Sequence, residues 1–328
     1  MTTKTSAMRR RLILAALAST AVPLAARANA YPSKPIRVVV PWPAGGVSDV
    51  ATRRTTARLE QAFGQSIVIE NKVGASGMIG SDYVSKAAPD GYTLLRGDMV
   101  THAVTPYLFK NTPYDPVRDF THVSLHGRGP VVLVVNASLP VHTLDQLVTY
   151  AKANPEKVTY GAPIGAPQHL ASELLRQLTG APIMFVPYKG ESHAVTDLVA
   201  GQVQMMFTFT IVVASFIKAG RLRPLTITLD KRIPALPDVP SVRELGLKEL
   251  EMSAWGAFFA PPGTSKEVVD RFSAELGKVM NSQEVVDLYH NLGADPVTST
   301  PDQLAAFVRT ERERWAKVVE RAGIRIDQ

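Results

Sequence analysis

Glycine-rich turns that follow short apolar segments are the first feature of this sequence that could do chemistry. Three of them occur: PAGGVSD at residues 43–49, NKVGASGMIGSD at 71–82 and YGAPIGAPQHLASELL at 160–175. One such turn by itself most often only reverses the chain. The backbone N–H groups at a helix N-terminus, however, have no acceptor within the helix and favour an anion. Three such turns therefore predict an anion-binding site.

The sequence does not match the common nucleotide-binding and hydrolase motifs. GASGMIG at residues 74–80 misses the dinucleotide spacing because its second glycine comes one residue late, and no G-x-x-x-x-G-K-[ST] loop occurs. The residues around Ser76 do not form a G-x-S-x-G elbow. An exported α/β hydrolase acting on a small carboxylate ester is the alternative function, and its candidate groups are Ser48, Ser76 and His169.

Metal chemistry has little support in the sequence. His122 and His126 have the spacing of a metal-binding pair, but their segment is extended by its pattern. Their side chains would then lie about 13 Å apart at ~3.3 Å per residue, so we expect no zinc site. The chain also has no cysteine that could bind a metal, form a disulfide or act as a nucleophile.

The first thirty residues have the pattern of a secretory signal peptide. Arg9–Arg11 precede the apolar run Leu12–Ala18, and Ala28–Ala30 form a small-x-small cleavage signal. The apolar run is too short to cross a membrane as a helix. We expect export and cleavage after Ala30.

The charge of the chain lies largely in this segment. The formal net charge is +7, but residues 1–30 hold five basic residues and no acidic one. The 298 residues that follow carry only about +2, which argues against a nucleic-acid partner. Their length predicts about two domains, and we expect a monomer.

Strand-like and helix-like segments alternate from residue 36 onwards. The expected strands are short and rich in β-branched or aromatic residues: Ile36–Val40, Ser66–Glu70, Tyr92–Arg96, Val131–Val135, Lys157–Tyr160, Ile183–Val186, Val203–Phe207 and Leu222–Ile227. Ser48 is expected to cap a helix that ends at Gly64, and Thr143 and Thr300 begin capping-box patterns. This order predicts an α/β fold with mainly parallel sheets, which bind ligands at the carboxyl ends of their strands.

A resemblance to a known family covers the chain after the signal peptide. The segments that carry it are YPSKPIRVVVPWPAGGVSDVATR, IENKVGASGMIGSDYVSKAAPDGYTLL, THAVTPYLFKNTPYDPVRDF, YGAPIGAPQHLASELL, VPYKGESHAVTDLVAGQVQMMF, IKAGRLRPL and WGAFFAPPGTS. In this order they resemble the Bug-type solute receptors, the periplasmic binding components associated with tripartite tricarboxylate transporters.

The resemblance implies a two-domain, type II-like periplasmic-binding-protein fold. Each domain would be a mainly parallel sheet flanked by helices, with the ligand cleft between the domains. Crossings near Gly129 and Met252 would give domain 1 residues 31–129 and 252–328 and domain 2 residues 130–251. The family implies capture of a small carboxylate by interdomain closure, no catalysis and no cofactor or metal. Its members partner membrane permease subunits or a sensor protein.

The resemblance also implies a set of ligand-binding residues on loops of both domains. From domain 1 these are Ala44, Gly45, Gly46, Ser48, Asp49, Asn71, Gly74, Ala75, Gly77, Thr101 and His102, and from domain 2 they are Gly161, Gly165, Ala166 and His169. Backbone amides on two opposed domains can clamp a carboxylate without a buried cation.

Two places depart from the family pattern. Trp42 stands where relatives usually carry phenylalanine, and Thr208 and Phe209 follow VQMMF where relatives often carry acids or amides. The lack of an acid argues against an amino-acid ligand. Trp42 and Phe209 either wall an apolar pocket or pack in the core. The first alternative predicts an aromatic or apolar monocarboxylate as ligand, with a di- or tricarboxylate as the second choice.

Overall fold

The computed structural model describes residues 31–291 and 293–325. The predicted export signal, with its cleavage site after Ala30, lies outside these residues. From Lys34 onwards the chain forms one compact unit, which contains two five-stranded sheets. Within the described ranges, no helix is both long and apolar enough to cross a membrane.

The strands and helices alternate along most of the chain. The strands are β1 Ile36–Val40, β2 Ile67–Asn71, β3 Thr93–Asp98, β4 Thr121–Gly129, β5 Val131–Asn136, β6 Thr159–Ala162, β7 Met184–Pro187, β8 Met205–Phe209, β9 Leu222–Ile227 and β10 Ala254–Ala260. The helices are α1 Val47–Phe63, α2 Met78–Ser85, α3 Thr105–Leu108, α4 Leu144–Ala153, α5 Pro167–Thr179, α6 Glu191–Ala200, α7 Thr210–Lys218, α8 Lys266–Met280, α9 Gln283–Asn291 and α10 Pro301–Ala322. Short 3₁₀ turns lie at Ala75–Gly77 and Lys248–Leu250, and a π-helical turn lies at Val100–Val104.

Both sheets have the same arrangement of strand directions. The first sheet has the order β2-β1-β3-β10-β4 and the second the order β7-β6-β8-β5-β9. In the first, β1 is parallel to β2 and β3, whereas β10 is antiparallel to β3 and β4. In the second, β6 is parallel to β7 and β8, whereas β5 is antiparallel to β8 and β9. Each sheet thus has four strands in one direction and one reversed strand, which confirms the predicted mainly parallel α/β fold.

The strand between β3 and β4 in the first sheet was not predicted from the sequence. β10 has the sequence AWGAFFA and is buried from Trp255 to Ala260. A short, continuously apolar segment of this kind shows neither strand nor helix periodicity. β4 was recognised as extended but not counted as a strand. β4 pairs with β10. Without β10, the sequence offered no neighbouring strand to which β4 could be assigned.

The chain passes between the sheets at two places. β4 ends at Gly129 and β5 begins at Val131, so Pro130 makes the first passage. On the return, the Met252 N–H donates to the Thr228 carbonyl, and β10 in the first sheet begins at Ala254. These positions support the crossings implied by the resemblance. The domain boundaries drawn from them stay a prediction.

The starts of the helices correct one expectation. Thr143 and Thr300 cap α4 and α10 with their side chains, as predicted. Gly64 ends α1 with a left-handed φ of 63°. The predicted cap by Ser48 is wrong, because Gly46 is the N-cap and Ser48 is the second residue of α1.

Four histidines are buried in the described part of the chain: His102, His122, His126 and His169. Burial lowers the pKa of every one of them, to about 4 for His122 and His169. His122 and His126 both lie on the extended β4. The described residues contain no group of three or more His, Asp or Glu side chains that could hold a metal ion.

The buried histidines predict a loss of stability in mild acid. At these four histidines the folded protein binds fewer protons than the unfolded chain between pH 6.5 and about 4, so their contribution to the free energy of unfolding falls as the pH falls through this window. His122→Leu removes one such group, whose Nε2 has no hydrogen-bond partner among the described residues. We expect its melting temperature to fall less between pH 7 and pH 4.5 than that of the wild type. His142→Leu, at an exposed position, serves as the control. Equal slopes for His122→Leu and the wild type would contradict the prediction.

Candidate functional site

A cavity of about 780 Å³ lies between the two sheets. Its wall on the side of the first sheet comes from the turn after β1, the end of β3 and parts of β4 and β10. On the side of the second sheet it comes from the starts of α5, α6 and α7. The cavity therefore lies at the strand ends where an open α/β sheet binds its ligands.

The turn after β1 is held by hydrogen bonds within itself. The Gly46 N–H donates to the Pro43 carbonyl (3.3 Å), and Gly45 has a φ of +80° that favours glycine. The Gly45 N–H donates to Oδ2 of Asp49, four residues later (2.9 Å). The turn thus fixes the start of α1.

The turn after β6 has the same construction. The Ala166 N–H donates to the Pro163 carbonyl (3.2 Å), and Gly165 has a φ of +74°. The Gly165 N–H donates to Nδ1 of His169, again four residues later (3.0 Å). A β-carbon on Gly165 would lie 2.2 Å from Cδ1 of Leu108, so this turn also packs directly against α3. We call these two segments, residues 43–49 and 163–169, the matched turns.

The glycine amides of the matched turns already have acceptors. The N–H groups of Gly45, Gly46 and Gly165 donate within the turns, and the role in binding an anion that the sequence predicts for them stays a prediction. In α1 the amides that lack an intrahelical acceptor are those of the first turn. Val47 and Ser48, the first two residues of that turn, line the cavity.

Four helices begin at the cavity without a side-chain cap. Their N-cap residues are Gly46 for α1, Ala166 for α5, Gly190 for α6 and Phe209 for α7, and none makes a side-chain cap hydrogen bond. All four residues line the cavity. Of the helices that begin elsewhere, α4 and α10 are capped by threonines, whereas α8 begins at Ser265 without a side-chain cap. The cavity thus collects the positive ends of four helix dipoles, an arrangement that stabilises an anion.

Asp49 holds the first turn to the neighbouring strand. Its carboxylate accepts from Nε of Arg53 (2.9 and 3.0 Å) and from Nδ2 of Asn71 (2.9 Å), besides Gly45. Burial acts to raise the pKa of Asp49, but the hydrogen bonds from Arg53, Gly45 and Asn71 together lower it below its usual value. Nδ2 of Asn71 also donates to the Trp42 carbonyl (2.9 Å). Asp49 and Asn71 therefore position the turn rather than line the cavity.

Several buried polar atoms at the cavity have no hydrogen-bond partner among the described residues. They are Nε of Arg96, Nδ1 of His126, Oε1 of Gln168 and Oγ1 of Thr210. All four residues line the cavity and are less than a tenth exposed. Buried polar groups normally find partners, so these atoms are suited to a polar ligand. None of the four residues was among the predicted ones.

The two aromatic residues singled out in the sequence both line the cavity. Trp42 is partly buried, and its Nε1 donates to Oδ2 of Asp98. Phe209 is also partly buried and packs against the large core cluster. The rings thus combine both roles that the sequence left open, since each packs on protein and borders the cavity.

An acidic side chain does lie beside Thr208. Oε1 of Glu191 accepts from Oγ1 of Thr208 (2.6 Å) and from Nε2 of Gln168 (2.9 Å), and Glu191 lines the cavity. The sequence argument against an amino-acid ligand assumed that no acid stood near this strand end. That assumption is wrong, because α6 supplies the carboxylate that β8 lacks.

The predicted site residues divide into two groups. Those that line the cavity are Trp42, Gly46, Ser48, Ala166 and Phe209. Those that do not are Ala44, Gly45, Asp49, Asn71, Gly74, Ala75, Gly77, Thr101, His102, Gly161, Gly165, His169 and Thr208. The second glycine-rich turn contributes Val73 and Ser76 in place of the four residues expected from it.

The buried members of the second group support the cavity wall from behind. Thr101 exchanges hydrogen bonds with Asp98, and His102 stacks on Phe259 with ring centroids 3.7 Å apart. His169 stacks on Phe185 at 4.1 Å. No hydrogen bond joins His169 to Ser48 or Ser76 in the described part of the chain, so the hydrolase alternative lacks its base.

Comparison with known proteins identifies the family. The model of the tripartite tricarboxylate transporter family receptor matches residues 51–324. The chain belongs to this family. The protein BugT of Bordetella pertussis is 38% identical over 96% of both chains. A UPF0065 protein from the tcbD-tcbE intergenic region of a Pseudomonas species is 38% identical over 94% of both chains.

Solved structures of similar proteins support the same assignment. The R. palustris protein Rpa4515, solved with adipate, has a TM-score of 0.82 and 35% identity, over 90% of this chain and 100% of that one. MatC from Rhodopseudomonas palustris, with bound malate, has a TM-score of 0.78 and 32% identity, over 88% of this chain and 100% of that one. This chain is thus a periplasmic solute-binding protein with the two-domain fold, not an enzyme.

The matched turns predict a graded effect of substitutions at Asp49. Asp49→Ala leaves the Gly45 amide without its acceptor, and we expect it to lower the free energy of unfolding by about 1–3 kcal/mol. Ligand affinity should weaken because α1 is no longer held in place. Asp49→Asn keeps one acceptor oxygen and should be milder on both counts.

Chemical denaturation would measure the change in the free energy of unfolding. Calorimetric titration with a carboxylate that the wild type binds would measure the change in affinity. A variant Asp49→Ala that keeps full stability but loses all binding would contradict the positioning role, because only direct contact with the ligand gives that result.

Proposed function

We propose that this receptor captures a small carboxylate in the cavity by closure of its two halves. The observation that carries the proposal is the convergence of four helix N-termini without side-chain caps on one cavity. α1 comes from the side of the first sheet and α5 from the side of the second, each started by a matched turn. A carboxylate between them would receive hydrogen bonds from both sides, so binding and closure would be coupled.

The ligand that fits this cavity has an apolar body. Trp42 and Phe209 border the cavity, and Val47, Val73, Ile164 and Ile211 line it while remaining at least 40% exposed. Removing apolar surface of this kind from water lowers the free energy of the complex, so a ligand with an apolar body binds more tightly. The adipate and malate bound by two similar proteins support a carboxylate as the anionic part.

The wider setting is proposed on the family alone. Cleavage after Ala30 would release the receptor in the periplasm, where it would deliver its ligand to the permease subunits of a tripartite transporter or present it to a sensor protein. We propose that it acts as a monomer with residues 31–129 and 252–328 in one domain and 130–251 in the other. The ligand is held without a cofactor.

The start of α1 gives a direct test of the carboxylate site. Gly46 has a φ of −72°, which any residue can adopt, and its β-carbon would lie 3.3 Å from the Pro43 carbonyl oxygen. A shift of a few tenths of an ångström in this exposed turn relieves that contact, so Gly46→Val should fold, which its melting temperature would check. Its side chain would stand at the cavity beside the amides of α1, and we expect carboxylate binding to be lost. Gly277→Val places the same change in α8, where a β-carbon meets nothing within 4 Å. That control should bind as the wild type does.

A thermal-shift screen of carboxylates, followed by calorimetry, supplies the measurement. If Gly46→Val still binds carboxylates, the turn at residues 43–49 reverses the chain and takes no part in binding. A flat response of the wild type to carboxylates of every class would overturn the proposed function.

The aromatic walls predict a fluorescence signal from Trp42. Benzoate-type acids should change the tryptophan emission of the wild type, because the ligand's ring would lie between Trp42 and Phe209. Trp42→Phe should lose most of this change and bind benzoate more weakly. If malate or citrate binds tightly while benzoate-type acids do not bind, the aromatic wall has no part in recognition.

A further inference from the structure

A buried ion pair lies in the cavity wall outside the helix N-termini. Arg96 and Asp98 end β3, and each is only 8% exposed. Nη1 of Arg96 lies 3.5 Å from Oδ2 of Asp98. A β-carbon at position 256 would lie 2.1 Å from Nη2 of Arg96. The guanidinium thus occupies the space that a side chain at position 256 would fill, and a larger residue there would displace it.

The acceptors of Asp98 are already in use. Oδ2 accepts from Nε1 of Trp42, and Oδ1 accepts from the N–H and Oγ1 of Thr101 (3.1 and 3.2 Å). With Arg96 as the fourth partner, the carboxylate has about as many donors as it can accept. Asp98 is therefore held in place and has little capacity left for a ligand.

The donors of Arg96 are largely unused. A guanidinium has five N–H groups, and the described residues accept only from Nη1, at 3.5 Å from both the Gly97 carbonyl and Asp98. Nε is buried without any partner among the described residues. Burial lowers the pKa of Arg96, while Asp98 acts against this shift. Arg96 therefore offers donors to the cavity, and Asp98 balances its charge.

The charges around the cavity also favour an acidic ligand with more than one anionic group. The charged residues in the wall are Arg96, Arg128, Lys189, Asp98 and Glu191, which leaves one cation in excess before the four helix N-termini are considered. His126, whose Nδ1 is unpartnered in the described structure, borders the same part of the wall. Burial and the neighbouring Arg96 hold its pKa well below its usual value, so it adds a polar group without a charge.

We infer that Arg96 is a specificity-determining residue that binds a second carboxylate of the ligand, with Asp98 and Trp42 as its positioning residues. This inference rests on the proposed function, since the first carboxylate lies at the helix N-termini. The planar fork of the guanidinium matches a carboxylate in geometry. The receptor is therefore selective for dicarboxylates whose two acid groups are separated by an apolar body.

Pairs of ligands that differ by one carboxylate measure what the second carboxylate adds to the affinity. Calorimetric titration of the wild type would compare adipate with hexanoate and terephthalate with benzoate. Within each pair the body is the same and only one carboxylate differs. A charge-assisted contact with Arg96 should favour the dicarboxylate of at least one pair by about tenfold or more.

Two variants locate the preference at Arg96. In the double variant Arg96→Met with Asp98→Asn, no buried carboxylate is left unpaired, so the fold should persist. We expect it to lose the preference for the dicarboxylate while its affinity for the monocarboxylate changes by less than about threefold. Arg321→Met removes an exposed arginine of α10 that does not line the cavity and should keep the preference.

The outcomes separate this inference from the proposed function. If monocarboxylates and dicarboxylates bind the wild type equally, or if Arg96→Met with Asp98→Asn keeps the preference, Arg96 does not bind the ligand and the carboxylate receptor stands. A proportional loss of both affinities in the double variant assigns Arg96 a structural role and overturns the inference. If no carboxylate binds the wild type, both proposals fail.

Discussion

The cavity depends on how two turns use their own backbone donors. In each matched turn a glycine N–H donates to a side chain four residues later, to Asp49 in one case and to His169 in the other. These bonds fix where α1 and α5 begin, and they leave only the amides of the first helical turns to face the cavity. Replacing either acceptor would free a turn amide and move a helix start. The side chains of Asp49 and His169 thus hold the helix starts from positions that do not line the cavity.

The electrostatics of the cavity come from two sources with different ranges. Helix N-termini stabilise an anion with neutral groups and act within about one turn. Arg96 supplies a full charge, but at the cost of burying a guanidinium, which Asp98 offsets. A carboxylate at the helix starts needs no counter-charge of its own, whereas the buried charge of Arg96 is balanced by Asp98. The helix starts and Arg96 are therefore two different kinds of anion partner in one cavity wall.

The sequence was informative about the fold and less so about the cavity wall. Eight strands, the capped helices and the family could be predicted because they follow from local patterns and from segments in a fixed order. β10 could not, since AWGAFFA has no periodicity of its own. Asp49 and His169 were expected to bind ligand, which stays a prediction, whereas the hydrogen bond that each accepts from a turn amide is not visible in residue types. Arg96 was missed because an arginine that ends an apolar strand looks like an exposed residue until the glycine opposite, Gly256, is paired with it.

The contact between Leu108 and Gly165 bears on the entropy of binding. The methyl group of Leu108 fills the place where a side chain at position 165 would stand, so the second turn is positioned by the protein's own packing. A preorganised spacing of this kind reduces the ordering that a ligand must impose. The contact also sets how closely the turn after β6 approaches α3, since Leu108 ends that helix. A substitution that shortened the side chain at position 108 would therefore loosen the cavity from outside its wall.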